Sequence, residues 1–143
     1  MISNRTYVST ALAGVLAAVA FEALGAAGRS LVEVSAPGHD PLFVDTATIQ
    51  RQGPVVSFNY VLNVLAAAEG RSVPGRWKSN EVETTIDCAR NTFSSRRVVA
   101  YTGPRATGSI TGSYAFTAQE RESERIIPQS TIAHLAAHLC PAK

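Results

Sequence analysis

The chain has 143 residues, 13 Lys and Arg against 11 Asp and Glu, a formal net charge of +2, and 45% hydrophobic residues. So small an imbalance makes no electrostatic case for nucleic acid or for a membrane surface as partner, because both are met by a strongly basic face. Its only two cysteines are Cys88 and Cys140, 52 positions apart.

The N-terminus reads as an export signal. Arg5 supplies a positive start, and Val8 to Ala20 is apolar or small apart from Ser9, Thr10 and Gly14. Ala18-Val19-Ala20 has the small-x-small form that signal peptidase cuts after. Cleavage is expected after Ala20, with Ala26 or Ala27 as the second choice. A single membrane anchor is the competing reading, but a span takes about 20 apolar residues and Glu22 interrupts this stretch. No cysteine follows closely, so there is no acceptor thiol for a lipid anchor. Removing residues 1–20 leaves about 120 residues, one ordinary domain, and lowers the net charge to +1, because only Arg5 is lost. Residues 21–30, small and Gly-rich, are expected to form a frayed lead-in, with the folded domain at 31–143.

Strand-like segments separated by turn chemistry follow. Leu31 to Ser35 is the first, and Ala36 to Pro41 is a turn. Leu42 to Asp45 resumes the strand, and Thr46 to Ile49 is a tighter piece of helical-turn character. Val55 to Ala66 is the longest strand, with Val56, Phe58, Tyr60, Leu62 and Val64 on one face. Ala67 to Gly75 is a polar loop. Trp77 to Cys88 alternates with period 2, which puts Val82, Thr84, Ile86 and Cys88 on the core side and Glu81, Glu83, Thr85 and Asp87 on the other. Phe93 to Tyr101 and Ser109 to Ala118 are further strands, and Gln119 to Arg125 is a charged patch.

The last element is a helix. Ser130 is placed to cap it, Ile132, Leu135, Ala136 and Leu139 recur as one apolar stripe, and Pro141 stops it. Cys140 lies at the edge of that stripe. An internal Cys88–Cys140 disulfide is therefore expected, against two free buried thiols or an intermolecular pair. The fold class is α+β: a meander of about six antiparallel strands with one C-terminal helix packed on the sheet and tethered by the disulfide. An edge strand left open would favour a homodimer.

These residues resemble a known family. Ile86-Asp87-Cys88-Ala89-Arg90, then Arg96 to Tyr101, a Gly loop, Ile127-Pro128-Gln129-Ser130 and Leu139-Cys140 are similar to the C-terminal half of the surface-adhesin protein E family. Leu42 to Ile49 resembles that family's extended strand, Asp, small polar pair and Ile. Val55 to Leu65 resembles the strand after it, and Lys78-Ser79 stands where the family often has Lys or Ser. The chain departs from the pattern in having Phe58 and Tyr60 where Trp is common, and Pro128-Gln129-Ser130 in place of Pro-Gly-Ser. The family also has lipid-anchored members, and this chain lacks the cysteine for that. The resemblance implies a Gram-negative envelope protein, periplasmic or at the cell surface. It implies adhesion, by binding an extracellular protein or glycan, only for the founding members. The alternative is a periplasmic structural or accessory protein with no host ligand.

No catalytic machinery stands out. There is no Gly-x-Ser-x-Gly elbow and no Gly-rich phosphate loop, and bonded cysteines cannot act as nucleophiles; no enzyme activity and no cofactor are expected. His134 and His138 have the spacing of two helical metal ligands, but they fall opposite the Leu135/Leu139 stripe and read as solvated histidines, with no metal expected. Trp77 reads as a core lid rather than a binding anchor. Arg90, Arg96, Arg97 and Arg105 are the candidate residues for a polyanion or other partner, set against the plainer reading of a solvated strand face.

Overall fold

The computed structural model describes residues 28–64 and 77–142. The export signal expected at 1–20 and the polar loop expected at Ala67 to Gly75 lie outside the described residues. Six strands form one antiparallel sheet in chain order: β1 (Leu31–Glu33), β2 (Leu42–Gln52), β3 (Val55–Asn63), β4 (Ser79–Asp87), β5 (Thr92–Tyr101) and β6 (Ile110–Ala115). A two-residue strand β7 (Glu124–Arg125), inside the charged patch, pairs with Thr92 and Phe93 of β5, beyond the reach of β6. The helix α1 (Thr131–Leu139) follows. The expected α+β meander with one C-terminal helix is thus the observed architecture, with β7 as an addition. No helix among the described residues is long and apolar enough to cross a membrane.

Period 2 divides the sheet into two faces. Val56 and Phe58 of β3 and Ile86 of β4 are each no more than 1% exposed and lie on the face that receives α1. The helix contributes Ile132, Leu135 and Leu139, which join Leu42, Val44 and Ile126 in the main core. Burying each such side chain contributes about 1.5–3 kcal/mol, so this layer supplies most of the drive to fold. The opposite face has a smaller core of Phe43, Val61, Val99, Tyr101 and Ala106.

The segment Thr46 to Ile49 is not a helical turn. It lies within one long strand, β2, as a bulge: the register passes from Asp45 opposite Asn59 to Gln50 opposite Ser57, so four residues face one. A bulge strands backbone groups, and here side chains satisfy them. Asp45, 3% exposed, accepts from the backbone N–H of Ser30 at 2.9 Å and of Ala47 at 3.2 Å. The Thr48 hydroxyl donates to the Asp45 carbonyl and accepts from the Asn59 N–H, both at 2.8 Å. The Asp45-Thr46-Ala47-Thr48 run is therefore a set of local hydrogen-bonding groups, not a propensity signal.

Ser130 caps α1 by accepting from Ala133 N–H at 3.1 Å. Cys140 directly follows the last helical residue, and its sulfur bonds to Cys88 at the end of β4, with the two Cα atoms 5.7 Å apart. A nine-residue helix is marginal in isolation, because isolated helices shorter than about 12–15 residues scarcely form in water. Closing a loop of this length stabilises by roughly 4 kcal/mol in the chain-entropy view, a large share of the usual ~5–15 kcal/mol. Replacing both cysteines by serine is expected to lower unfolding stability by about that 4 kcal/mol, read by urea titration, with loss of helical signal preceding loss of sheet.

Tyr60 lies on the helix-side face, where burial pushes its hydroxyl from the ordinary 10.0 up to about 12. A raised phenol keeps its proton longer in the folded state. Its contribution to stability is therefore complete below the unfolded value and is lost as pH rises toward the folded one. Near pH ~11 the expected loss is about 1 kcal/mol relative to neutral pH. Tyr60→Phe should remove that part of the alkaline slope in urea titrations at the two pH values and leave the remainder.

Candidate functional site

The face away from α1 carries the polar structure. The loop from Thr102 to Ser109 folds over it and is held from below by Ser79, which is fully buried. The Ser79 hydroxyl donates to the Gly103 carbonyl at 2.6 Å and accepts from the Ala106 N–H at 2.9 Å. Thr102 and Ser109 close the loop's base through a backbone bond and a second from the Ser109 N–H to the Thr102 hydroxyl, both 2.9 Å. Gly108 is required there: its φ is +77°, and a Cβ would sit 2.4 Å from the Thr102 Oγ1. The loop thereby presses Ala106 onto the second core and places the Arg105 guanidinium 5.0 Å above the Phe43 ring.

Beside the loop is a cleft of about 220 Å³, whose hub is Glu81 of β4. Glu81 Oε2 accepts from Arg29 Nη2 at 2.7 Å and from the Tyr101 hydroxyl at 2.9 Å, and Oε1 accepts from Asn59 Nδ2 at 3.1 Å. Arg29 also donates from Nη1 to the Ala106 carbonyl at 2.8 Å and lies over the Tyr101 ring. Burial opposes the Arg29 charge, but Glu81 and Tyr101 outweigh it and leave that guanidinium above its ordinary pKa. Burial, then the bond to Glu81, raises the Tyr101 hydroxyl. The lead-in expected to fray at 21–30 is described only from Gly28, and there Arg29 and Ser30 are both tied to the sheet.

The sequence-nominated arginines take different places. At a register shift in β5, Glu83 of β4 faces Arg97 and Thr84 faces Ser95, leaving Arg96 as the extra residue of a bulge. Arg96 Nη1 reaches Glu83 Oε1 at 3.7 Å. Arg97 lines the cleft with Glu83, is exposed, and makes no ion pair among the described residues. Arg105 lies on the same face over Phe43. Arg90 stands apart, in the β4–β5 turn at the other end of β5, 3.7 Å from Asp87. Asp87 Oδ1 also accepts the Ala89 and Arg90 N–H groups at 3.0 Å each, tying that turn. Arg29 was not legible as a site residue, because its partner Glu81 is 52 positions away and no local pattern links them. Ile110, 60% exposed, completes the cleft wall.

A second concavity, about 740 Å³, lies between the start of α1 and the β1–β2 turn, lined among others by His39, Asp40, Leu62, Ser130 and His134. The structure corrects the reading of the histidines. His138 is exposed, but His134 is half-buried, and its Nε2 meets the Val34 carbonyl just past β1. Trp77 is half-buried.

The surface-adhesin protein E family matches residues 31–141. No curated protein sequence matches the chain. Solved structures of Haemophilus influenzae protein E share its fold at low identity. Crystal form II superposes with a TM-score of 0.52 at 20% identity, over 69% of this chain and 79% of that one. The structure from a non-typeable strain gives 0.50 at 18% identity, over 79% and 85%. The family match spans all seven strands, the helix and both cysteines, and this chain belongs to the surface-adhesin protein E family.

Proposed function

We propose that the protein is an exported, non-enzymatic envelope protein of adhesin type, and that it binds an anionic extracellular protein or glycan on the sheet face opposite α1. The observation that carries this reading is the charge on that face. Arg29, Arg96, Arg97 and Arg105 gather around Glu81 and Glu83, and Arg97 makes no ion pair among the described residues. Guanidinium groups are planar forks suited to carboxylate and sulfate oxygens. Arg97 is also held at its base by the sheet, so little side-chain freedom is lost on binding beyond the side chain itself. The apolar Ile110 beside it offers the kind of contact that a purely ionic surface lacks. The family's adhesin description and the Val8 to Ala20 apolar run support an exported protein.

The test is retention on immobilised heparin, a sulfated polyanion. Retention is expected to fall with added salt, because exposed charges are screened over about 8 Å at physiological ionic strength. An Arg96→Ala/Arg97→Ala double variant should elute at clearly lower salt, with an unchanged unfolding curve. An Arg90→Ala variant, altered away from the cleft, should elute with the parent protein. Indifference to salt and to the double substitution would remove this reading.

A further inference from the structure

We propose that β6 is a docking edge for an extended polypeptide segment in which acidic and apolar residues alternate, and that this segment joins the sheet as a further strand with its carboxylates turned toward Arg97. This edge docking rests on the arginine face being the binding face, and it makes the partner a polypeptide rather than a glycan.

An open sheet edge offers a row of unpaired backbone N–H and C=O groups, and proteins blunt such edges with short strands, bulges, proline or charge. The edge at β1 is blunted twice. β1 has three residues, and the part of β2 that runs past it is broken by the bulge between Asp45 and Gln50. β6 ends the sheet on the other side, and all six of its residues are exposed. It holds no proline and no charge. Its one irregularity, the extra residue Thr111, lies near its start, and the ladder from Gly112 to Ala115 is regular.

The ladder fixes which backbone groups are free. The Phe116 N–H donates to the Arg96 carbonyl at 2.9 Å, and bonded and non-bonded positions alternate along an antiparallel pair. Gly112 and Tyr114 therefore turn their backbone groups to β5, while Ser113 and Ala115 turn theirs outward. Period 2 sets the side chains of Ser113 and Ala115 on the arginine face, opposite Val99 and Arg97. A segment bonded to Ser113 and Ala115 adds a strand in the usual manner of peptide augmentation, and its residues facing those two point to the same side. It lies two strand spacings from β5, about 9.6 Å. Arg97 and a glutamate span that gap when extended toward one another, and Ala115 puts only a methyl group between them. Arg97 makes no ion pair among the described residues. The residue between two such acids meets Tyr114 on the helix side. That ring is 50% exposed yet held, with its hydroxyl donating to Glu120 at 2.6 Å and its edge against Phe116, centroids 5.1 Å apart. A fixed aromatic at a strand edge favours an apolar cross-strand neighbour. A second copy of this chain lacks the complement, because β6 brings no carboxylate to Arg97.

The test is proton–nitrogen NMR of the disulfide-bonded protein with an acetylated and amidated Glu-Val-Glu-Val-Glu-Val peptide. In the free protein the Ser113 and Ala115 amides should exchange fast with solvent and that of Tyr114 slowly. The peptide should slow the first two, whereas a Lys-Val-Lys-Val-Lys-Val peptide should leave β6 unmoved. Ser113→Pro removes an outward N–H where an edge strand admits proline. It should weaken the Glu-Val peptide by at least about tenfold and leave heparin retention unchanged. Arg97→Ala should weaken the peptide about fivefold. No change at β6 in the parent protein, binding unchanged in either variant, or a peptide-free dimer that Ser113→Pro dissolves would each overturn the edge docking. Heparin retention that still depends on Arg96 and Arg97 would then leave the arginine-face reading standing without it.

Discussion

The covalent tie between Cys88 and Cys140 is the constraint on which the rest of this architecture depends. It joins the last element of the chain to β4, a strand in the interior of the sheet. The helix it carries has nine residues and three fully buried or nearly buried side chains, Ile132, Leu135 and Leu139. Without tertiary support a helix of that length does not persist. Once it is held, one face of the sheet becomes core, and Leu42, Val44, Val56, Phe58 and Ile86 are dry. The other face is then left to whatever loops and termini can reach it.

Among the described residues two pieces of chain reach it, and neither is regular. The Thr102–Ser109 loop arrives from β5 and is fixed by buried Ser79; the N-terminal lead-in arrives as Arg29 and is fixed by Glu81. Both are polar anchors over a small apolar core, and the cover is therefore made of arginine stems and aromatic rings rather than a second helix. Such side chains lay apolar stems on the sheet and keep their charge toward water. A surface built this way is basic and half-apolar at once. That combination suits recognition of a large anionic partner better than enclosure of a small one, and the cleft of about 220 Å³ is too small for a drug-sized ligand.

Much of this was readable from the sequence, and the boundary has physical reasons. The period-2 faces of β3 and β4, the apolar stripe of α1, its Ser130 cap and the inward cysteines all depend on neighbours within a few positions. The structure keeps them: Val82, Thr84 and Ile86 are buried as their spacing requires. What failed were features whose partners are remote. Thr46 to Ile49 looked like a turn because small polar residues favour turns, but Asp45 and Thr48 spend their hydrogen bonds on a bulge set by Ser30 and Asn59. Ser79 lay inside the expected Trp77 to Cys88 strand with no local sign of a role, yet it holds a loop 24 positions on. His134 sat opposite the apolar stripe on a helical wheel, and a wheel carries no information about the chain beyond β1 that bends back to meet it.

Net charge misleads here for a related reason. A chain carrying +2 has no electrostatic preference as a whole, but electrostatic recognition acts over a Debye length of about 8 Å, not over a whole molecule. The acidic residues are unevenly placed. Asp45 and Asp87 are used on backbone amides, and Glu120 serves the Tyr114 hydroxyl and the Thr117 N–H in the segment after β6. Each of these carboxylates is occupied by local hydrogen bonds, Asp45 doing so beside the cleft residues Arg29 and Asn59. The four arginines of the cleft face, by contrast, pair with only two glutamates among the described residues, and Glu81 is shared between Arg29, Tyr101 and Asn59. A nearly neutral chain thus presents a basic face because its negative charges hold backbone turns and bulges, while its positive ones sit on a face that the helix does not cover.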